Sequence, residues 1–185
     1  MERISGPEPG TGAGAGRPAT EAPDGPGRLA AGPLPGRPCS IARALDVIGE
    51  KWTLLAIREI SIGNHRFNEI ARNTGAPRDR LAVRLNRLVA TGIVEQRVYQ
   101  ESPRRAGYHL TRAGRELTPV LRALLAWGDR WVSDEPPVTL QHAGHDLEPG
   151  LVCRTCGTEP DSRSVSVQVN TPGWTLRGPE PGAAS

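Results

Sequence analysis

The chain has 185 residues, including 22 glycines, 18 prolines and three cysteines, and its formal net charge is only +3. That length allows one ordinary domain with ornaments but not two full hydrophobic cores, and Cys39, Cys153 and Cys156 are too few and too unevenly spaced for a secreted disulfide framework. No basic opening leads into an apolar run, and no apolar stretch approaches the roughly 20 residues of a bilayer span, which argues against a membrane protein and for a cytoplasmic one.

Charge is uneven along the chain. Residues 39–133 hold 16 Lys+Arg against 9 Asp+Glu, or +7, and the remainder holds 7 against 11, or −4. A basic segment between acidic-leaning flanks points to a polyanionic partner.

In chain order, residues 1–38 are dominated by Gly, Pro and Ala. They carry too little apolar surface to offset their ordering entropy, so they read as a disordered arm. Ile41, Leu45 and Ile48 then follow helical spacing from Cys39 to a stop at Gly49. A second helix is predicted from about Lys51 to Ile62; its Trp52, Leu54, Leu55, Ile57 and Ile60 cover more than one face, as in a central buried helix. A third, from about Arg66 to Asn73, turns Phe67, Ile70 and Ala71 inward and breaks at Thr74 and Gly75.

From Arg78 to Ala90, Leu81, Leu85 and Leu88 form one apolar stripe, and Arg80, Arg84 and Arg87 repeat at the same spacing beside it. One residue of offset rotates a helical position by about 100°, so the arginine stripe reaches solvent. Gly92 ends this helix. Ile93, Val94, Val98 and Tyr99 are strand formers that can pair with Tyr108 to Leu110, leaving Glu101 to Gly107 as a hairpin tip carrying Arg104 and Arg105. A last helix is predicted from an N-cap at Thr111 through Trp131, kinked at Pro119. Its Leu117, Val120, Leu121, Leu124, Leu125, Trp127 and Trp131 exceed what so small a domain can cover, and part of this surface reads as a dimer interface.

The expected fold class is therefore mainly α with a small β-hairpin wing. A winged helix-turn-helix over 39–137 is flanked by the arm over 1–38 and a small tail over 138–185. In that plan one helix enters the DNA major groove and the wing follows the backbone.

The phrases RALDVIGEKW (Arg43 to Trp52), RFNEI (Arg66 to Ile70), LAVRLNRLVATGIV (Leu81 to Val94), YQESPRRAGYHLT (Tyr99 to Thr111) and PVLRALLAWGDRW (Pro119 to Trp131), with Cys39 opening the first helix, resemble the HxlR family of bacterial regulators, relatives of the MarR type. The resemblance implies homodimers on inverted-repeat operators in double-stranded DNA, acting as repressors or activators and often tuned by a small-molecule effector or by cysteine oxidation. Of the two signs, repression is expected. Members similar to this chain often place a hydroxyl side chain and a Gln where Ala82 and Val83 stand. Those two side chains can touch only a thymine methyl, which shifts readout to Arg78, Arg80 and Asn86 or to DNA shape.

The DNA-binding candidates are thus Arg78, Arg80, Arg84, Asn86 and Arg87 on the recognition helix and Arg104 and Arg105 on the wing, each against the plainer reading of a solvated basic surface. Arg84, nearest the core stripe, could serve a phosphate or a structural ion pair, whereas Arg80 and Arg87 are freer to reach DNA. Cys39 precedes a helix whose partial positive charge favours the thiolate, so a redox sensor and an inert small side chain both fit. Cys153-Arg-Thr-Cys156-Gly157 resembles a zinc-knuckle turn that His142 and His145 could complete. Zinc, a dithiol switch and unligated cysteines stay open there, with a short strand expected over Ser164 to Val169. No catalytic constellation has supporting context, so an enzyme is not expected. The alternatives are a thiol-disulfide or zinc-dependent protein using Cys153 and Cys156, and a winged helix that binds protein.

Overall fold

The computed structural model describes residue 29 and residues 36–161 and 163–180. The expected disordered arm lies almost wholly outside them. Four helices come first, α1 (Ser40–Ile48), α2 (Lys51–Ser61), α3 (Phe67–Thr74) and α4 (Arg78–Ala90), followed by the hairpin β1 (Val94–Glu101) and β2 (Arg104–Leu110). Two further helices, α5 (Arg112–Arg115) and α6 (Thr118–Trp131), precede the tail.

The core is one cluster built from every element of the helix-turn-helix. Ala56, Ile57 and Ile60 of α2 and Ile70 of α3 meet Leu81, Leu85 and Leu88 of α4, with Ile93, Val94 and Leu110 closing it from the base of the hairpin. Helical spacing put Leu81, Leu85 and Leu88 on one face of α4, and burial of such a side chain stabilises the fold by about 1.5–3 kcal/mol. Trp52, Leu54, Phe67 and Tyr108 pack around the edge.

Three expectations need correction, two here and one in the tail. The last helix does not run unbroken from Thr111 with a kink at Pro119. Thr111 does cap a helix, its hydroxyl accepting from the Gly114 N–H, but that helix is the single turn α5, and α6 restarts at Thr118 with Pro119 in its first turn. Continuing through Pro119 would set its ring against the Arg115 carbonyl and lose a hydrogen bond, whereas a first turn needs no N–H there. Gly114 makes the tight joint possible: a Cβ at that position would lie 2.3 Å from the Ile93 carbonyl oxygen. The hairpin is also longer than expected, because pairing runs from Val94 opposite Leu110 to Glu101 opposite Arg104. Only Ser102 and Pro103 form the turn, so Arg104 and Arg105 are strand residues and not a loose tip.

In the tail, β3 (Gln141–His142) pairs with β4 (His145–Asp146), and β5 (Trp174–Thr175) pairs with β6 (Gly178–Pro179). The strand expected over Ser164 to Val169 is absent among the described residues; Val165 and Val167 are exposed there, and alternation without a partner strand does not hold an extended segment in a sheet. Among the described residues no helix is long and apolar enough to cross a membrane.

Candidate nucleic-acid interface

The turn between α3 and α4 fixes where the arginine-bearing helix points. Gly75 takes the left-handed conformation, φ +67°, that ends α3, and Ala76 is buried beneath the turn. Pro77 then starts α4 with the Leu81 N–H donating to its carbonyl. Arg78 is part of this corner: its guanidinium donates to Asn68 Oδ1 at 2.9 Å and lies 4.9 Å from the Phe67 ring centroid, tying the start of α4 to α3.

The remaining arginines of α4 separate by partner. Arg84 is the most covered, its side chain 18 % exposed, and pairs with Glu50 at 3.4 Å. Arg87 donates to the Asp46 carbonyl at 2.7 Å and lies 3.5 Å from the Asp46 carboxylate. The expected freedom of Arg87 therefore does not hold, since α1 supplies both an acid and a carbonyl within its reach. Among the described residues Arg80 has no such partner and is exposed, as is Asn86. Val83 stands between them, also exposed. The outward face of α4 thus presents one uncommitted guanidinium, one carboxamide with donor and acceptor, and one apolar patch suited to a thymine methyl.

The wing is anchored to the same unit. The Tyr108 N–H donates to the His65 carbonyl at 2.8 Å, and His65 Nδ1 lies 2.9 Å from the Tyr108 carbonyl oxygen, so β2 is clasped by the α2–α3 connection. The His65 and His109 rings stack at 4.1 Å. Burial, then the charges of His65 and Arg97, hold His109 below the usual histidine value. Arg104 and Arg105 extend from this anchored base, both exposed. Tyr99 sits at a bulge in β1 between Val98 and Gln100, and the Arg66 guanidinium lies 5.3 Å from its ring. Arg66, the N-cap of α3, is a further basic group beside the hairpin that the arginine spacing of α4 does not reveal; the signal was its place one residue before an inward Phe.

A second feature missed in the sequence is Glu59. It is buried, and its carboxylate accepts from Arg58 at 2.6 Å, from Asn64 Nδ2 at 2.7 Å and from Asn73 Nδ2 at 3.0 Å. Burial alone would raise its pKa, but the hydrogen bonds from Asn73, Arg58 and Asn64 outweigh that and hold it below the ordinary value. One carboxylate thereby locks the end of α2, the following turn and the end of α3, which is the frame that carries α4.

Cys39 is the N-cap of α1 and half-buried, its carbonyl accepting from the Arg43 N–H. Cys153 and Cys156 share a turn closed by the Gly157 N–H donating to the Cys153 carbonyl at 2.7 Å. The Thr158 hydroxyl, 2.9 Å from the Cys156 sulfur, is the main reason that thiol is lowered to about 7. His142 and His145 face each other across β3–β4 with ring centroids 5.7 Å apart. Among the described residues no group of three or more His, Cys, Asp or Glu is brought together as a metal set, so the histidine and cysteine pairs stay separate.

The HxlR-like helix-turn-helix family matches residues 47–136, which hold α2 to α6. The chain is 41 % identical over 131 residues to an HTH-type transcriptional regulator of Mycobacterium tuberculosis, covering 69 % of this chain and 83 % of that one. A second relative, an HTH-type transcriptional regulator of Synechocystis, is 36 % identical over 101 residues, covering 54 % of this chain and 75 % of its own length. Among solved structures the fold is similar to PA1607, described as a candidate transcription factor, with a TM-score of 0.62 and 32 % identity over 70 % of this chain and 94 % of that one.

Proposed function

The chain belongs to the HxlR-like helix-turn-helix family and is a transcriptional regulator, and from that premise we propose that it binds an inverted-repeat operator in double-stranded DNA as a homodimer and represses transcription by occupying it. The observation that carries the reading is the division of labour on α4. Arg84 and Arg87 are committed to Glu50 and Asp46, and Arg80, Val83 and Asn86 are left facing outward. Side chains of those types reach base edges, while Arg104 and Arg105 on the anchored wing meet phosphates.

Dimerisation is supported by α6. Its N-cap Leu117 and its Leu121 pack on the core, but Val120, Leu124, Trp127 and Trp131, one turn apart along a second face, are exposed, Trp131 by 69 %. Ile41 and Leu45 of α1 are exposed as well. An exposed apolar helix face of this kind marks a partner, and a second copy of the chain covers it with two-fold symmetry. Two recognition helices then address half-sites about one helical turn apart.

The test is selection of bound duplexes from a random pool by the full chain, with light scattering to give the mass in solution. The expected result is a dimer that enriches a palindrome. A monomer that enriches no sequence at moderate salt would overturn the reading.

A further inference from the structure

We propose that the cavity between α5, the first turn of α6 and the cysteine-bearing turn of the tail binds a small organic anion carrying a carboxylate or phosphate ester. The cavity is an open surface cleft of about 590 Å³ lined by Arg112, Arg115, Glu116, Pro119 and Arg154, all of them exposed. Three guanidinium groups therefore converge on a space with one carboxylate. That carboxylate is already engaged, since Glu116 pairs with Arg112 at 3.3 Å. Arg115 donates one N–H to the Leu110 carbonyl at 2.8 Å, a neutral acceptor that leaves its charge uncompensated. Arg154 has no hydrogen-bond or ion-pair partner among the described residues.

Like charges gathered around a cavity repel one another, and a bound anion removes that repulsion while planar guanidinium groups bind its oxygens in pairs. The cleft is far larger than a bare inorganic ion, so an anion with an organic body fits it with part of that body left in water. The Pro119 ring gives one apolar wall, which suits a ligand with an organic body. Arg154 is carried on a turn closed by the Gly157 N–H donating to the Cys153 carbonyl at 2.7 Å and the Cys153 N–H to the Thr158 carbonyl at 2.9 Å. Arg112, Arg115, Glu116 and Pro119 lie within the family match and Arg154 lies in the tail beyond it, so this chain's tail supplies the third guanidinium of the site. It does not depend on which DNA sequence the helix-turn-helix reads.

Calorimetric titration of the full chain with phenyl phosphate and with benzoate, against neutral benzyl alcohol, tests the proposal. The expected result is saturable binding of at least one of the anions at one site per chain, with none for the alcohol. Arg154→Ala weakens it by about tenfold or more at an unchanged unfolding midpoint, Arg154→Lys weakens it less, and Arg80→Ala on the DNA-reading helix leaves it intact. Absence of saturable binding by both anions, equal binding of the alcohol, wild-type affinity in Arg154→Ala, or loss of binding in Arg80→Ala would each overturn it.

Discussion

Replacing Arg80 by Ala separates DNA contact from folding better than any other change on α4. The guanidinium has no partner within the described protein, so its removal leaves the core and the caps as they are, and the unfolding midpoint should not move. A base or phosphate contact of this type is worth about 1–3 kcal/mol. A symmetric dimer loses it twice, which gives about 2–6 kcal/mol in all if the half-sites are independent. At about 1.4 kcal/mol per tenfold change, operator affinity falls by at least roughly 30-fold. Arg84→Ala is the control: it breaks the 3.4 Å pair with Glu50, whose side chain is 58 % exposed, so screening limits the loss of stability to about 0–1 kcal/mol. Fluorescence anisotropy on a labelled operator, run beside thermal unfolding of both variants, gives the comparison. Unchanged operator affinity in Arg80→Ala, or a loss of affinity matched by a fall in its midpoint, would refute the assignment.

Glu59 sets an acid limit on stability. Because its folded pKa lies below the ordinary 4.5, the ionised carboxylate stabilises the fold fully above that pH, and the contribution is lost as pH falls through the lowered value. Unfolding midpoints measured between neutral pH and pH 3 should fall more steeply for the wild type than for Glu59→Gln, which at neutral pH is less stable by about 1–3 kcal/mol; parallel curves would contradict this. Removing Arg104 and Arg105 together should reduce the slope of log affinity against log salt by up to about 1.8 per protomer, and an identical slope would place the wing off the DNA. Alkylation of Cys156 should track a thiolate titrating at about 7, and Thr158→Val should shift that profile to higher pH; mass spectrometry of the modified peptide reads both, and an unmoved profile would remove Thr158 as the cause.

The order of helices and the identity of the core were legible because they depend on periodicity. Leu81, Leu85 and Leu88 had to share a face, and α2 had to be central because its apolar residues do not fit on one side. The partners of the arginines were not legible. Arg84 meets Glu50 and Arg87 meets Asp46 only because α1, α2 and α4 cross where they do, and spacing along α4 carries no record of that crossing. Glu59 was overlooked for a related reason: one acid within an apolar run reads as an exposed position until Asn64 and Asn73 are folded back onto it. The break between α5 and α6 turned on a choice between two uses of Pro119, kink or first turn, which the packing of Gly114 against Ile93 decided. His142 and His145 have the spacing of a ligand pair, yet their hairpin closes on itself and leaves Cys153 and Cys156 to a separate turn.

In the proposed complex α4 lies in a major groove with Val83 outward. A photo-crosslinking amino acid placed at position 83, irradiated on the selected operator, should join to bases within each half-site, whereas the same group at exposed Arg122 on α6 should join to none. Crosslinks from position 122 but not 83, or none that map to a half-site, would contradict it.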